Sequence, residues 1–283
     1  MKSIGLVGLG LLGSALTERL ISKGWSVSGF DVDPERRDAL SSLGGVALAG
    51  LSDVAALDVI LLSLPTSQVV ADVVSSIKGE LRAGQTIVDT TTGNPADVES
   101  VVEVLAEAGV DYLDATVGGS SQQARDGEAI VMCGGSTAAF DRHRGLFDDL
   151  AKRTFYLGAA GNGSRMKLVV NLVLGLNRAV LAEGLGFAER LGLDRGTTLE
   201  VLKAGPAASA VLTTKGQKML DRDFEPQARL AQHLKDVRTI LETGSAIGAR
   251  MPFSGIHRAL LEELVQAGMG DLDNSVVIEA FEN

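Results

Sequence analysis

Apolar positions in the first half of the chain form short runs, separated by stretches with helical spacing. The runs predict strands at 3–8, 25–31, 45–49, 58–64, 86–90, 111–117, 128–134 and 154–157. The stretches between them predict helices, among them 14–23, 34–43, 67–77 and 95–108. Several runs, such as 59–64, are apolar throughout, which is typical of parallel strands covered on both faces. The first half therefore predicts an α/β fold with a doubly wound sheet.

After Gly163 the pattern becomes helical to the end of the chain. Residues 163–191 predict one long helix, because they contain neither proline nor a cluster of turn residues. Shorter helices are predicted at 195–204, 208–219, 226–248, 253–267 and 274–282. We predict three parts: an α/β domain over 1–161, a long interdomain helix over 162–191, and an all-α domain over 192–283.

The long predicted helix is apolar on all sides, with Leu172, Val173, Leu174, Leu176, Val180 and Leu181. A helix of this kind is normally buried all round. Because one domain is too small to cover it, we predict a homodimer or homotetramer formed through the helical half. Polar residues within it, Asn171, Arg178 and Glu183, argue against a membrane span.

A glycine turn follows the first predicted strand and opens the first predicted helix. It reads Gly8-Leu9-Gly10-Leu11-Leu12-Gly13. Gly8 permits the tight turn, Gly10 lets the backbone approach a pyrophosphate, and Gly13 lets the helix pack closely on the strand. The helix N-terminus offers free N–H groups to phosphates. We therefore predict a Rossmann-type dinucleotide site that includes Leu11 and Leu12.

Asp31 ends the second predicted strand, where a carboxylate accepts hydrogen bonds from both ribose hydroxyls of a dinucleotide. A carboxylate there repels a 2′-phosphate, so the predicted cofactor is NAD rather than NADP. Arg36 and Arg37 follow closely, but Asp33-Pro34 predicts the start of a helix. Both arginines are therefore predicted to be solvated on a helix flank.

The composition narrows the function further. The chain has 283 residues, 45% hydrophobic and 22% charged, with a formal net charge of −10. The acidic balance argues against a nucleic-acid partner, which requires a basic face. A single cysteine, Cys133, and three scattered histidines predict neither a disulfide nor a metal site. Because the first predicted strand begins at residue 3, we expect no signal peptide and a cytoplasmic protein.

Two of the three histidines are predicted to be solvated, and the role of the third, His233, stays open. His143 and His257 lie in charged helical stretches and are expected to be solvated. His233 lies two residues before Lys235, and residues i and i+2 of a helix face different ways. We favour a packing or surface role for it over one in the cleft.

Three further segments lie at the carboxyl ends of strands, where ligands of such sheets bind, and combine small hydroxyl residues with glycine or proline: Leu64–Ser67, Asp89–Pro95 and Asp114–Ser121. Each of them alone is also typical of an ordinary strand-end turn or helix cap. A fourth segment, Gly161–Asn171, opens the long predicted helix. In the last, Lys167 and Asn171 are spaced i, i+4, which places them on one face of the long helix. A lysine among apolar neighbours indicates either a functional amine or a side chain that reaches out to solvent.

Together with the glycine turn, these segments resemble the β-hydroxyacid dehydrogenase family, which includes 3-hydroxyisobutyrate dehydrogenase and tartronate semialdehyde reductase. The resemblance rests on Gly8–Gly13, Leu64-Pro65, Asp89–Pro95, Asp114–Ser120, Gly161–Asn171 and the downstream His233-Leu234-Lys235-Asp236. It covers nearly the whole chain.

The resemblance implies an NAD-dependent enzyme that transfers hydride between a short hydroxyacid, or its semialdehyde, and the nicotinamide. It implies that Lys167 is the general acid/base and that Asn171 orients it or the substrate hydroxyl. Gly118, Gly119 and Ser120 would hold the substrate carboxylate, and Lys235 would approach both substrate and cofactor. By the same resemblance, Leu64, Pro65 and Thr92 would flank the cofactor.

One departure leaves the substrate open. Gly118 stands where the family has a substrate-binding serine, and Ser120 or Ser121 could compensate. Candidate substrates include 3-hydroxyisobutyrate, glycerate, tartronate semialdehyde and threonate. The alternatives are an imine reductase on the same fold and a non-catalytic dinucleotide-binding regulatory protein. Imine reductases usually lack the lysine, so Lys167 favours alcohol chemistry.

Overall fold

The computed structural model describes residues 2–281. The predicted outer limits at 1 and 283, and residue 282 of the last predicted helix, lie outside the described residues. The chain divides into two compact units, Met1–Lys167 and Leu168–Asn283. The division falls within one long helix, Asn162–Arg190. The three-part domain division stays a prediction.

In the first unit, residues 2–167 contain an eight-stranded sheet of order β3-β2-β1-β4-β5-β6-β7-β8. The strands are β1 Ser3–Val7, β2 Ser26–Phe30, β3 Val46–Ala47, β4 Val59–Leu62, β5 Thr86–Asp89, β6 Asp111–Gly118, β7 Ile130–Gly134 and β8 Arg153–Tyr156. Neighbouring strands from β3 to β6 are parallel, whereas β7 runs antiparallel to β6 and parallel to β8. The strand order reverses direction between β1 and β4, as in doubly wound folds.

Helices cover both faces of this sheet. They are α1 Leu11–Ser22, α2 Pro34–Ser42, α3 Leu51–Ala55, α4 Ser67–Ile77, α5 Pro95–Glu107, α6 Ser121–Asp126, α7 Thr137–Arg142 and α8 Arg144–Leu150. Alternate residues of β4 enter different cores, because successive strand side chains point to opposite faces. Leu61 packs with the core formed with α1, whereas Ile60 and Leu62 pack with the core formed with α3 to α5. The predicted α/β fold class, with its Rossmann-type sheet, is confirmed.

The second unit contains the rest of the long helix and is helical, as predicted. Its helices are α9 Asn162–Arg190, which starts in the first unit, α10 Arg195–Ala204, α11 Ala210–Asp221, α12 Leu230–Ala246 and α13 Pro252–Leu264. A π-helical turn, Val265–Met269, and a 3-10 helix, Asn274–Phe281, follow. The core contains Leu185 of α9, Met219 of α11 and Val276 of the 3-10 helix.

Helix α9 exposes an apolar stripe. Val169, Val173, Val180 and Phe187 are between 51% and 67% exposed, and their spacing places them on one face. Within the described residues, α9 is the one helix long and apolar enough to cross a membrane by length and composition. The core helices of soluble proteins pass the same test. In α9, 44% of the most apolar window is buried in the structure.

The prediction of solvated histidines was wrong. His257 on α13 is 4% exposed, and its ring lies 5.2 Å from that of the buried His233 on α12. Gly175 of α9 gives them room, since a Cβ there would lie 2.5 Å from His233 Nε2 and 2.9 Å from His257 Cε1. His143 is half-buried, with Nε2 2.8 Å from Thr86 Oγ1. His233 packs in the interior.

Candidate active site

The predicted strand-end segments of the first unit meet at one edge of the sheet. Strands β1, β4, β5 and β6 are mutually parallel, so their carboxyl ends lie side by side. The glycine turn follows β1, Leu64-Pro65 follows β4, Thr92 follows β5 and Gly118 ends β6. This is the edge at which parallel α/β sheets bind their ligands.

The glycine turn has no room for side chains at two positions, whereas a Cβ at the third would make only an ordinary contact. Gly8 has a φ of 92°, and a Cβ there would lie 2.3 Å from the Ser63 carbonyl oxygen. At Gly13 a Cβ would lie 1.9 Å from the Gly8 carbonyl oxygen. At Gly10 the nearest atom to such a Cβ is Arg36 Nη1, at 3.7 Å. The first and third glycines are required by the closeness of the turn, whereas Gly10 is not required by a clash within the protein.

Helix α1 begins at this turn with its N-terminal N–H groups uncapped by a side chain. Its N-cap is Gly10, and its first turn contains no acidic residue. Leu11 is 78% exposed and Leu12 is half-buried. Free N–H groups and the positive end of a helix dipole bind anions. Together with the absence of a side chain at Gly10, this arrangement fits a dinucleotide pyrophosphate.

Asp31 follows β2 and is built into the glycine turn. Its Oδ2 accepts a hydrogen bond from the Leu9 backbone N–H (2.7 Å), and its Oδ1 accepts one from the Asp33 N–H (2.9 Å). The prediction of solvated arginines was incomplete. Arg36 Nη1 lies 3.4 Å from Asp31 Oδ2, and Arg37 Nη1 donates to the Asp31 carbonyl oxygen at 2.6 Å. Asp33 does cap α2, as predicted.

The segments after β4 and β5 are tied together. The Leu64 N–H donates to Thr91 Oγ1 (3.1 Å), and the Thr91 N–H donates to Asp89 Oδ1 (2.8 Å). Pro65 is exposed and Thr92 is half-buried at the same edge. The neighbouring helix α4 is capped by Thr66, whose side chain accepts from the Val69 N–H.

Asp89 is a buried carboxyl group that sequence reasoning did not single out. Its Oδ2 accepts a hydrogen bond of 2.6 Å from the Tyr112 hydroxyl. Burial raises its pKa from 3.8 to about 6, although hydrogen bonds from Thr91 and Tyr112 lower it. The position of Asp89 at the end of a buried strand is the feature of the sequence from which it could have been predicted.

Lys167 lies at the edge of the sheet on the first turns of α9. Its Nζ donates a hydrogen bond of 2.7 Å to the carbonyl oxygen of Val117, the residue before Gly118. Lys167 is half-buried. The structure thus brings the predicted general acid/base next to the predicted carboxylate-binding segment at the end of β6.

The segment after β6 is shaped by glycine and by a helix cap. Gly118 pairs with Ile130 of β7, and a Cβ at Gly118 would lie 2.9 Å from Ile130 Cγ1. Gly119 has a φ of 146°. Ser120 caps α6: its Oγ accepts from the Gln123 N–H (3.2 Å), and its N–H donates to Gln123 Oε1 (2.9 Å). The Ser120 hydroxyl is therefore engaged in helix capping.

The second unit holds the other predicted site residues. Asn171 is buried, and its Nδ2 donates a hydrogen bond of 3.0 Å to Asp236 Oδ2 on α12. Lys235, the neighbour of Asp236, is half-buried. Asp236 was known from the sequence only as part of a motif, and the structure identifies it as the partner of Asn171. Across residues 2–281, no group of three or more His, Cys, Asp or Glu could hold a metal ion.

Known proteins match both units. Residues 3–158 match the family model for the NAD binding domain of 6-phosphogluconate dehydrogenase. Residues 161–281 match the model described as NAD-binding of NADP-dependent 3-hydroxyisobutyrate dehydrogenase.

Two relatives and one solved structure match over nearly their whole lengths. The chain is 31% identical to 2-hydroxy-3-oxopropionate reductase of Escherichia coli (strain K12), over 99% of this chain and 97% of that protein. It is 31% identical to 2-(hydroxymethyl)glutarate dehydrogenase of Eubacterium barkeri, over 99% and 94%. The solved structure of Mycobacterium tuberculosis 3-hydroxyisobutyrate dehydrogenase with L-serine matches with a TM-score of 0.91, 26% identity and full coverage of both chains. The chain therefore belongs to the β-hydroxyacid dehydrogenase family of NAD(P)-binding oxidoreductases.

Proposed function

We propose that the protein is an NAD-dependent oxidoreductase that transfers hydride between a short 3-hydroxyacid and the nicotinamide. The observation that carries the proposal is the position of the Lys167 amine, hydrogen-bonded to Val117 at the ligand-binding edge of the sheet. An amine at that edge is suited to exchange a proton with a substrate hydroxyl.

The cofactor would be held by residues that the first unit already arranges for it. The α1 N-terminus and Gly8, Gly10 and Gly13 would hold the pyrophosphate, with Leu11 and Leu12 beside it. Leu64, Pro65 and Thr92 would flank the nicotinamide half. When bound, the dinucleotide supplies the hydride acceptor for oxidation and the hydride donor for reduction.

Asp31 supports NAD as the preferred cofactor. Its carboxylate has lone pairs left for ribose hydroxyls beyond those used by Leu9 and Asp33. Its negative charge would repel a 2′-phosphate at the same position. Arg36 covers part of this carboxylate and would turn outward when a ribose binds.

Lys167 would move the proton. In oxidation its neutral amine takes the proton from the substrate hydroxyl as the carbon loses hydride, leaving a carbonyl group and an ammonium group. In reduction the ammonium returns that proton to the new alkoxide oxygen. The Val117 carbonyl accepts one N–H bond of Lys167 and so restricts the direction of the amine. From the family resemblance alone, we assign Asn171 an orienting role in this step.

The proposed substrates are short acids with a hydroxyl or aldehyde group at carbon 3. The names of the relatives support this class, since 2-hydroxy-3-oxopropionate and 3-hydroxyisobutyrate both belong to it. Gly118 and Gly119 would bind the carboxylate through backbone N–H groups. The family resemblance alone assigns Ser120 and Lys235 to the same carboxylate. Gly118 lacks the hydroxyl of the serine that the family has at this position. We therefore keep glycerate, threonate and tartronate semialdehyde as candidate substrates together with 3-hydroxyisobutyrate.

We also propose a homodimer or homotetramer built through the helical half. The exposed stripe of Val169, Val173, Val180 and Phe187 supports it, because such a stripe gains stability when a second copy covers it. Light scattering tests this assembly. We expect at least twice the monomer mass, whereas a monomer at micromolar concentration would contradict the proposal.

The first test of the proposed reaction is a substrate panel. Purified protein is mixed with NAD or NADP and each of 3-hydroxyisobutyrate, glycerate and threonate, and with NADH or NADPH and tartronate semialdehyde. The absorbance of the reduced nicotinamide is followed. We expect turnover with at least one acid and a preference for NAD. Silence across the panel with intact NADH binding would favour the non-catalytic dinucleotide-binding alternative.

A further inference from the structure

The start of helix α9 is held against strand β6 by a buried carboxylate. Asp114 is 1% exposed, and its Oδ1 accepts a hydrogen bond from the Gly161 N–H (2.9 Å). Its Oδ2 accepts one from the Ser164 N–H (2.8 Å). N–H groups at a helix start lack partners within the helix, and the helix dipole favours an anion there. Asp114 therefore caps α9 from a distant part of the sequence.

Two glycines make this close contact sterically feasible. A Cβ at Gly163 would lie 2.2 Å from the Asp114 carbonyl oxygen and 2.6 Å from that of Met132. A Cβ at Gly134 would lie 2.5 Å from Asp114 Oδ1. Contacts this short do not occur, so any side chain at either position would push the helix start away from the strand.

Strand β6 contacts the same segment at two further points. Thr116 Oγ1 donates a hydrogen bond of 3.0 Å to the Gly163 carbonyl oxygen. Asp114 and Thr116 are two residues apart, so their side chains lie on one face of the strand. The Val117 carbonyl then accepts the Lys167 amine. One strand thus fixes both the backbone that leads into α9 and the amine that α9 carries.

We propose that Asp114 is a positioning residue for Lys167, setting the place from which its amine acts by anchoring Gly161 and Ser164. The inference rests on the proposed role of Lys167 as general acid/base. Both carboxylate oxygens are needed, because each accepts a different N–H. An asparagine offers one oxygen and one NH₂ group, so one of the two N–H groups would face a donor.

The geometry is tested first on the protein without cofactor or substrate. Asp114→Asn is compared with wild type by hydrogen exchange of the peptide that contains residues 158–168. The acetylation rate of Lys167 with acetic anhydride is measured by mass spectrometry. We expect exchange in this peptide at least about tenfold faster, since hydrogen bonds to charged groups are the strong ones. We expect Lys167 acetylation to change severalfold, because its amine no longer sits against Val117.

Asp111→Asn is the matched control. Asp111 lies at the opposite end of β6, where it pairs with Arg142 at 2.9 Å. The Asp111→Asn substitution removes a carboxylate from the same strand at a position that does not contact α9. Hydrogen exchange of residues 158–168 and acetylation of Lys167 should therefore match wild type.

Turnover gives the second readout. With the acid identified by the panel, Asp114→Asn should lower kcat about 10- to 100-fold while the dissociation constant of NADH changes less than about threefold. Thr116→Val, which removes the hydrogen bond to Gly163 and the longer contact of the same hydroxyl with the Met132 carbonyl oxygen, should change exchange and kcat in the same direction by a smaller factor. If Asp114→Asn does not fold, Thr116→Val carries the test.

The inference would be overturned if a folded Asp114→Asn variant showed unchanged hydrogen exchange and unchanged Lys167 acetylation. If Asp114→Asn does not fold, the same result in Thr116→Val would overturn it. Failure of the proposed function gives a different result. In that case the substrate panel would be silent or Lys167→Ala would retain turnover, while the effect of Asp114 on exchange and acetylation would still be observed.

Discussion

The carboxylate of Asp31 accepts a hydrogen bond of 2.7 Å from the backbone N–H of Leu9, inside the glycine turn. The residue proposed to select the cofactor is therefore also part of the loop that would bind the phosphates. Arg36 lies 3.4 Å from the same carboxylate. An asparagine at this position would remove the charge while its amide oxygen still accepts from Leu9, but its NH₂ group would then face the Asp33 N–H.

Asp31→Asn should shift the cofactor preference toward NADP. The variant removes the charge that repels a 2′-phosphate and releases Arg36 to meet it. We expect the ratio of the NADPH and NADH dissociation constants, measured by nicotinamide fluorescence, to shift at least about tenfold toward NADPH, or about 1.4 kcal/mol. Asp31→Asn/Arg36→Ala should lose part of this gain. An unchanged ratio in the single variant would show that Asp31 does not set the preference.

Asp89 should make the first unit less stable as the pH rises. Its pKa is raised by burial from 3.8 to about 6, so between these values the folded state holds a proton that the unfolded state has released. The corresponding stability is present below about pH 4 and is lost as the pH rises through about 6. The change in pKa corresponds to about 3 kcal/mol.

Asp89→Asn tests this titration, because its amide can accept from the Thr91 N–H and donate to the Tyr112 hydroxyl. Urea unfolding at pH 4.5 and pH 7.5 would be compared for both proteins. We expect the variant to gain stability relative to wild type at the higher pH. Parallel pH profiles would mean that Asp89 titrates near its ordinary pKa.

His257 should act in the opposite direction in the second unit. Burial, with a contribution from Arg178, lowers its pKa from 6.5 to about 4. Between these values the unfolded chain binds a proton that the folded unit does not. The associated stability is present above about pH 6.5 and is lost as the pH falls through about 4.

The imidazole resonances of the three histidines give a direct check. His257→Gln assigns its signal, and the Hε1 shift is followed from pH 7.5 downward. We expect the His257 signal to remain that of a neutral ring down to about pH 5. A midpoint near 6.5 would refute the claim that this ring is desolvated in the folded protein.

Local pattern was enough to predict the architecture. Each predicted strand overlaps an observed one, because the strands are short apolar runs bounded by turn residues and separated by stretches with helical spacing. The glycine turn could also be predicted from the sequence, because a dinucleotide site requires glycine at each of its three positions for a different steric reason. Lys167 and Asn171 were found from spacing and resemblance together, and the site roles assigned to them stay predictions.

Contacts between segments that are distant in the sequence could not be predicted from local patterns. Asp114 meets Gly161 and Ser164, 47 and 50 residues later, and nothing near Asp114 in the chain indicates those partners. His257 was misjudged because its immediate neighbours are charged. It belongs to a buried face with Ser254 and Leu261 at helical spacing, and that periodicity was the better signal.

The central claim is that Lys167 exchanges the proton of the reaction, and Lys167→Ala tests it most directly. Arg165→Ala is the matched control, since it removes an exposed cation from the same helical turn, paired with Glu99 at 2.8 Å. With the acid identified by the panel, Lys167→Ala should lower kcat about 10²- to 10⁴-fold while NADH binding persists and Arg165→Ala turns over like wild type. Turnover within about tenfold of wild type in Lys167→Ala, with NADH bound, would contradict the account.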